Sequence, residues 1–201
     1  MGLYVKKDHA LINLLRGNDM ATTEASLREH LAQAEYDVNY QDIEVLGIVG
    51  YDPSSTSWLK IESLYSFEGK SVCDLGCFHG YYAIKAREAG AASVIGLDRS
   101  QLVLDTAKMI SELSGRSEIE YQQWTGGEPT PFCDVALVLN MLHHCADLEE
   151  TLANINCQSA VFECNQEEVS SISKYFTIQN VVEGRSYAAR PSRLIVVGNK
   201  I

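Results

Sequence analysis

The sequence lacks the features that would place the chain in a membrane or on a polyanion. No apolar run reaches the roughly 18 residues that a membrane-spanning helix needs. Residues 1–19 contain no unbroken apolar run and no small-residue cleavage site, so we interpret them as mature sequence. Lys and Arg number 16 against 27 Asp and Glu, for a formal net charge of −11. Because a nucleic-acid backbone is bound by a basic surface, this composition does not favour nucleic acid as a partner.

Zinc-ligand spacings are also missing. The six cysteines would suggest disulfides in a small secreted protein, but four of them lie in or beside apolar runs: Cys73, Cys133, Cys157 and Cys164. A free cysteine behaves as a small buried hydrophobe, so we expect a reduced, cytoplasmic protein. One group of Cys and His was considered as a metal site and matches no zinc pattern: Cys73, Cys77, His143, His144 and Cys145. We therefore expect no metal.

The chain has no internal repeats, and from residue 71 onward apolar strands alternate with helices. This alternation predicts an α/β fold with a doubly wound, mostly parallel sheet. The predicted strands are SVCDLG, SVIGLD, EIEYQQ, DVALVLN, SAVFEC, TIQNVVEG and RLIVVGN. The polar loop TGGEPTP replaces one helix. Only nine residues join the last two strands, which is too short for a helical crossover, so this pair should be antiparallel.

Helical periodicity precedes the sheet. It predicts helices over residues 8–17, 22–37 and 55–65, the second beginning at a Thr signature, Thr22–Thr23. We predict two parts: a helical extension over residues 1–64 on the acceptor side, and a ligand-binding domain over residues 65–201. The first 57 residues carry four Lys and Arg against nine Asp and Glu, so the extension is not a basic arm.

The turn after the first strand of the sheet, DLGCFHG, has two glycines and precedes a helix. In such sheets, ligands bind at the carboxyl ends of the strands where the strand order reverses, next to the first strand. Gly76 allows a sharp turn, and Gly80 allows the helix to pack closely. Asp98 ends the second strand 22 residues after Gly76, near the roughly 20 expected for a carboxylate that binds a ribose. The pattern predicts a bound adenosine moiety; the alternative is a plain βαβ unit whose glycines only make a turn.

Two residues of this turn decide between adenosine ligands. A pyrophosphate favours a bare helix N-terminus and closely spaced glycines. Here Asp74 precedes the first glycine, and the bulky Phe78 occupies the middle position. An anion would be repelled and obstructed there. S-adenosylmethionine has no phosphate and carries a positive sulfonium, so it fits this turn better.

The segments DLGCFHG, VIGLD and FCDVALVLNMLHH, in this order, resemble the class I S-adenosylmethionine-dependent methyltransferases over about residues 65–200. A looser similarity is to the branch that includes enzymes modifying the wobble uridine of tRNA. The resemblance implies a Rossmann-like, seven-stranded sheet of order 3-2-1-4-5-7-6 with strand 7 antiparallel. It also implies the cofactor-binding residues Asp74, Gly76, Cys77, Phe78, His79, Gly80, Asp98, Arg99, Gln123, Trp124 and Asn140. The chain departs from the family at Phe78 and at Gln122–Gln123, where members often have an acid.

Candidate catalytic and acceptor residues follow from position. His143 and His144 come directly after the fourth strand and are candidates for a general base; alternatively they only cap or pack against the next helix. The candidate acceptor-binding residues are aromatic or basic and flank the predicted site: Tyr51, Trp58, Tyr82, Arg185, Tyr187 and Arg190. The arginines would hold a phosphate or carboxylate through bidentate pairs, or would only neutralise an acidic surface.

The sequence thus predicts an enzyme that transfers a methyl group from S-adenosylmethionine to an oxygen or nitrogen of a small molecule, such as a sugar or another anionic intermediate. Three alternatives stay open. They are a non-catalytic subunit with the methyltransferase fold, an RNA-modifying methyltransferase, and an NAD(P)-dependent oxidoreductase. The sequence does not predict the acceptor or the oligomeric state.

Overall fold

The computed structural model describes residues 22–51, 54–185 and 192–201, and they build a single seven-stranded sheet with flanking helices. The helix predicted over residues 8–17 lies outside the described residues, as do Tyr187 and Arg190. The helices are α1 (Glu24–Ala32), α2 (Ser54–Leu64), α3 (Tyr81–Glu88), α4 (Gln101–Leu113), α5 (Leu148–Asn154) and α6 (Val169–Ile172). The strands are β1 (Ser71–Leu75), β2 (Ser93–Asp98), β3 (Glu120–Gln123), β4 (Cys133–Leu139), β5 (Cys157–Cys164), β6 (Phe176–Glu183) and β7 (Leu194–Lys200).

The strand order confirms the predicted fold. The strands lie in the order β3-β2-β1-β4-β5-β7-β6. The pairs from β3 to β5 are parallel, whereas β7 runs antiparallel to both β5 and β6. Leu75 at the end of β1 is in register with Leu97 of β2 and Val138 of β4. Three carboxyl ends therefore lie at one edge of the sheet, on both sides of the point where the strand order reverses.

Each central strand contributes to two hydrophobic clusters, one on each face. In β4, Val135 and Leu137 belong to one cluster, and Ala136 and Val138 belong to the other. This alternation follows from the two-residue repeat of a strand, and burial of both faces explains why β4 is apolar from Val135 to Leu139.

The predicted N-terminal extension shares the first of these clusters. Leu27 of α1 and Ile61 of α2 are fully buried in the same cluster as Val72 of β1. Packing is therefore continuous across residue 64, and the predicted division at that residue stays a prediction. None of the helices in the described part of the chain is long and apolar enough to cross a membrane. The predicted compartment also stays a prediction.

Two local features can be compared with the sequence. Thr23 caps α1, because its hydroxyl accepts a hydrogen bond from the amide of Ser26 at 3.1 Å, in agreement with the Thr signature. The helical segment between β5 and β6 is short, with one α-helical turn at Val169–Ile172 after a 3₁₀ turn at Gln166–Glu168. The hydroxyl of Ser173 donates to the carbonyl of Ser170 at 2.8 Å, a local bond that competes with helix continuation.

A chain of partly buried hydrogen bonds joins α1 and α4 to the turn after β1. The Thr106 hydroxyl donates to the carbonyl of Leu102 at 3.0 Å, so its oxygen accepts from Nε2 of His30 at 2.8 Å and from the hydroxyl of Tyr36 at 2.7 Å. The Tyr36 oxygen in turn accepts from Nε2 of His79 at 3.2 Å. This network assigns the ring proton of His79 to Nε2 and leaves its buried Nδ1 without a hydrogen-bond partner.

This network predicts that acid destabilises the protein through His79. Burial, and then the nearby His30, lower the pKa of His79 to about 3. The unfolded chain binds this proton below its ordinary pKa of about 6.5, whereas the folded chain does not, so stability falls as the pH decreases from 6.5 towards 3. Burial and the charge of Asp98 raise the pKa of Asp74 to about 7, which acts in the opposite direction. A variant that removes only His79 separates the two contributions.

We expect the His79→Gln variant to lose less unfolding free energy than the wild type when the pH falls from 7 to 5, by up to about 2 kcal/mol. Urea unfolding at the two pH values measures this difference. His143→Gln removes an exposed histidine and is the matched control. Equal losses in the wild type and in His79→Gln would contradict the assignment of a neutral, buried His79.

Candidate functional site

The turn after β1 is bound to the end of β2 by its own backbone. The amides of Gly76 and Cys77 donate to the carbonyl of Leu97 at 2.7 and 3.0 Å. Gly76 has φ +68° and Gly80 has φ +77°, both in the left-handed region that favours glycine. A Cβ atom on Gly80 would overlap the hydroxyl of Tyr121. The two glycines therefore allow a sharp turn and a close approach, the two uses inferred from the sequence.

Phe78 is covered by the N-terminal extension. The Phe78 ring meets the rings of Tyr36 and Tyr40 edge to face, with centroids 5.7 and 5.5 Å apart. The amide of the next residue, His79, donates to Oε1 of Gln41 at 3.2 Å. The bulky residue in the middle of the turn therefore serves as a contact for the segment over residues 36–41.

Asp98 ends β2 and is held by two backbone amides. Its Oδ2 accepts from the amide of Phe78 at 3.2 Å, and its Oδ1 accepts from the amide of Ser100 at 3.0 Å. Each carboxylate oxygen can accept a second hydrogen bond. The carboxylate is therefore fixed in orientation and retains the capacity to accept hydrogen bonds from a pair of hydroxyl groups.

Asp74 has a different position. Its side chain is only 1% exposed, and it accepts a hydrogen bond from the amide of Ala83 in the first turn of α3. The oxygen Oδ2 is buried, and none of the described residues gives it a hydrogen bond. Asp74 thus lies behind the turn at the start of α3, where a carboxylate interacts favourably with the helix dipole.

A cavity of about 440 Å³ lies at the carboxyl edge of the sheet, within the range of small-molecule sites. Predicted cofactor residues that line it come from the ends of four strands: Gly76, Asp98, Arg99, Trp124 and Asn140. Tyr82, Arg185 and His144, predicted on the acceptor side, also line it. The cavity therefore brings residues of both predicted groups together.

The other predicted residues lie outside the described cavity wall. Those assigned to the cofactor are Asp74, Cys77, Phe78, His79, Gly80 and Gln123, and those assigned to the acceptor or to catalysis are Tyr51, Trp58 and His143. Trp58 stacks on Phe67 in the core with ring centroids 5.3 Å apart, and Tyr51 is 66% exposed. The side-chain amide of Gln123 donates to the carbonyl of Arg99 at 2.8 Å. The role of each predicted residue stays a prediction.

Sequence reasoning missed several residues of the wall. Gln41 enters the cavity beside Tyr40, and no nearby pattern in the sequence indicated the contact of Gln41. Asp147 and Glu150 come from the start of α5, directly after the 3₁₀ turn Leu142–His144 that follows β4. Because they follow a strand that ends at the site, the rule used for His143 and His144 would have found them.

Asn140 links the end of β4 to the N-terminal segment. Its backbone has φ +57°, a left-handed conformation that asparagine tolerates. Its backbone N–H donates to the carbonyl of Glu163 at 2.8 Å. The side-chain Nδ2 donates to the hydroxyl of Tyr40, whereas Oδ1 is buried without a hydrogen-bond partner. The side chain of Tyr40 from the N-terminal segment and that of Asn140 from the end of β4 therefore meet at the cavity.

The two adjacent histidines differ in position. Both are exposed on the 3₁₀ turn Leu142–His144, and their ring centroids are 3.9 Å apart. Only His144 of this pair lines the cavity. Among the residues that the structure describes, no three His, Cys, Asp or Glu side chains are grouped so that they could hold a metal ion.

A buried ion pair lies at the end of the cavity away from Asp98, which we call the inner end. Arg185 donates from Nε to Oε1 of Glu163 at 2.9 Å and from Nη2 to Oε2, so the pair is bidentate. The hydroxyl of Ser57 also donates to Oε1 at 2.6 Å. Tyr82 lies beside this pair, and burial, followed by the charge of Glu163, raises the pKa of its hydroxyl well above the ordinary value. Glu163 is completely buried, and these donors supply the hydrogen bonds that a buried carboxylate requires.

We expect Glu163→Ala to lower the free energy of unfolding by about 3–5 kcal/mol, because the charge of Arg185 would remain buried without its carboxylate. The double variant Glu163→Leu/Arg185→Met should recover most of this loss, since both charges are removed. Urea unfolding of the two variants and the wild type measures both effects. A loss below about 1 kcal/mol in Glu163→Ala, as for an exposed ion pair, would contradict this prediction.

Comparison with known proteins agrees with this geometry. The family model described as a methyltransferase domain matches residues 48–160, more than half of the chain. A ubiquinone biosynthesis O-methyltransferase of Neisseria meningitidis is 33% identical over 92 residues, which cover 43% of this chain and 38% of that protein. A tRNA U34 carboxymethyltransferase of Helicobacter acinonychis is 28% identical over 141 residues, which cover 67% of this chain and 53% of that protein. The chain thus spans about half or less of the length of these relatives.

A solved structure extends the comparison to the fold. The crystal structure of an S-adenosylmethionine-dependent methyltransferase from Mesorhizobium loti matches with a TM-score of 0.59 and 18% identity. The match covers 72% of this chain and 98% of that one. Together with the match of the family model, this agreement confirms the family and the cofactor class that the sequence predicted. The chain belongs to the family of S-adenosylmethionine-dependent methyltransferases.

Proposed function

We propose that the chain transfers a methyl group from S-adenosylmethionine to an oxygen or nitrogen of a small-molecule acceptor. The observation that carries this proposal is the continuity of one cavity. Asp98, the candidate ribose carboxylate, lines the same cavity as Tyr82 and Arg185 at the other end. One space therefore serves both cofactor and acceptor, as a direct transfer requires.

The residues at the Asp98 end fit the cofactor. The fixed carboxylate of Asp98 would accept hydrogen bonds from the ribose hydroxyls, with Arg99 and Trp124 beside the adenine. The turn at Gly76 would hold the methionine part. The unpartnered Oδ1 of Asn140 suits a hydrogen-bond donor such as an ammonium group. When bound, S-adenosylmethionine supplies a methyl group made electrophilic by its sulfonium.

The chain would contribute mainly position and exclusion of water. Holding two reactants in line replaces a bimolecular encounter with an intramolecular one and lowers the entropic part of the barrier. Tyr40 and Gln41 form part of the cavity wall and are fixed by Asn140 and His79. In our proposal, these residues cover the bound cofactor and direct the acceptor towards the methyl group.

His144 is our candidate general base for a hydroxyl acceptor. It lines the cavity, as do Asn140 and Met141 before it in the chain, and an imidazole nitrogen can accept the proton of a hydroxyl. His143 lies outside the cavity wall and has no role in this proposal.

Size and charge favour a small acceptor over RNA. A cavity of about 440 Å³ shared with the cofactor leaves limited space, and the chain has a formal net charge of −11. RNA is the second candidate, because one relative is named a tRNA U34 carboxymethyltransferase. Binding of tRNA at physiological salt, with loss of binding at higher salt, would favour that candidate.

Calorimetric titration with S-adenosylhomocysteine and with NAD(P)H tests the cofactor assignment. We expect S-adenosylhomocysteine to bind, and Asp98→Ala to weaken it by about 10- to 100-fold, because charge-assisted hydrogen bonds are lost. Asp105→Ala, which removes an exposed acid of α4 outside the cavity wall, is the matched control. Binding of NAD(P)H alone would favour an oxidoreductase, and absence of all binding would favour a non-catalytic subunit.

The role of His144 has its own test. With an acceptor identified by screening, we expect His144→Ala to lower kcat by about a hundredfold or more, as for loss of a general base. Affinity for S-adenosylhomocysteine should remain unchanged. Transfer of label from methyl-labelled S-adenosylmethionine measures kcat, and His143→Ala is the matched control. Equal rates in His144→Ala and the wild type would remove His144 from the mechanism.

A further inference from the structure

The inner end of the cavity presents a cation that is already neutralised. Arg185 lines the cavity, yet its Nε and Nη2 donate to the two oxygens of Glu163. A guanidinium recognises a carboxylate or phosphate through this same fork of donors. Glu163 therefore occupies the position that an anionic ligand would take on this fork, and the pair adds no net charge to the cavity.

The rest of the described wall is acidic. Asp98, Asp147 and Glu150 line the cavity, and Arg99 is the other arginine of this wall. Glu163 is added to this count because it pairs with Arg185. The described residues then supply four carboxylates and two guanidinium groups. S-adenosylmethionine would add one positive charge through its sulfonium. The loaded cavity would still have a negative excess, which repels anions over the short distances of such a space.

The groups beside the ion pair are uncharged and polar or apolar. Ser54 and Tyr82 place hydroxyl groups near the inner end. Leu139 and Met141 supply apolar surface. Such a surface recognises a neutral molecule by shape and by a few hydrogen bonds.

We propose that the acceptor is neutral or cationic, and that the paired Arg185 and the acids of the wall exclude molecules with a carboxylate or phosphate at the end that enters the cavity. This inference rests on the proposed function and narrows its substrate class. It differs from one of the two sequence-based interpretations of Arg185, the binding of a phosphate or carboxylate. The physical reason is that Arg185, in the connection after β6, is bonded to Glu163 of β5, 22 residues earlier in the chain.

Three probes of similar shape and different charge test the inference: benzyl alcohol, benzylamine and benzoate. Their binding to the full chain, with and without saturating S-adenosylhomocysteine, is measured by saturation-transfer NMR at pH 7.5. We expect the signals of benzyl alcohol and benzylamine to exceed that of benzoate several-fold. A benzoate signal equal to or larger than that of benzyl alcohol overturns the inference.

Variants of single acidic residues show which of them weaken the binding of benzoate. Glu163→Gln keeps the side-chain shape and removes the charge beside Arg185, so we expect the benzoate signal to rise several-fold. Circular dichroism checks that this variant is folded. Glu150→Gln, at an exposed position of the wall, should give a smaller rise, whereas the neighbouring Glu149→Gln should give none, because Glu149 pairs with Lys174 outside the cavity wall. If the folded variants at residues 163 and 150 leave the benzoate signal unchanged, the inference is wrong.

The test separates this inference from the proposed function. Calorimetry with S-adenosylhomocysteine decides whether the cofactor binds. The comparison of probes without S-adenosylhomocysteine decides the charge preference whether or not the cofactor binds. Failure of calorimetry alone overturns the proposed function, and failure of the probe comparison alone overturns the neutral or cationic acceptor.

Discussion

The parallel pairing of β1 with both β2 and β4 is the constraint on which the site depends. Leu75, Leu97 and Val138 are in register, so three turns leave the sheet at the same edge. The turn after β1 can then bond to the end of β2, and its Phe78 amide reaches the carboxylate of Asp98. A shift of this register would separate the turn from the carboxylate, and the cavity would lose its cofactor end.

The N-terminal segment is the second determinant of the site. Tyr36 and Tyr40 contact Phe78, and Tyr40 is also bonded to Asn140 at the end of β4. Phe78 therefore has a structural use that a third glycine would not provide. The residue that distinguishes this turn from a pyrophosphate-binding loop is also the residue that holds the segment in place.

The fold and part of the site could be predicted because they depend on local patterns. Alternating strands and helices indicated the sheet, and the nine-residue connection indicated the antiparallel end. The spacing from Gly76 indicated Asp98, position after the fourth strand indicated His144, and the family resemblance implied Asn140. Contacts between distant segments could not be predicted in this way. The bond from Asn140 to Tyr40 joins residues 100 positions apart, and nothing near Arg185 in the sequence indicated that Glu163 would be its partner.

The position of the segment over residues 36–41 has a thermodynamic consequence. It contacts the turn after β1 through Phe78 and the end of β4 through Asn140, and its residues Tyr40 and Gln41 line the cavity. If S-adenosylmethionine orders this segment, it raises the affinity for the acceptor, and the acceptor must then raise the affinity for S-adenosylmethionine by the same factor. If either ligand orders this segment, the measured affinity for S-adenosylmethionine therefore depends on whether the acceptor is bound, and the reverse also holds.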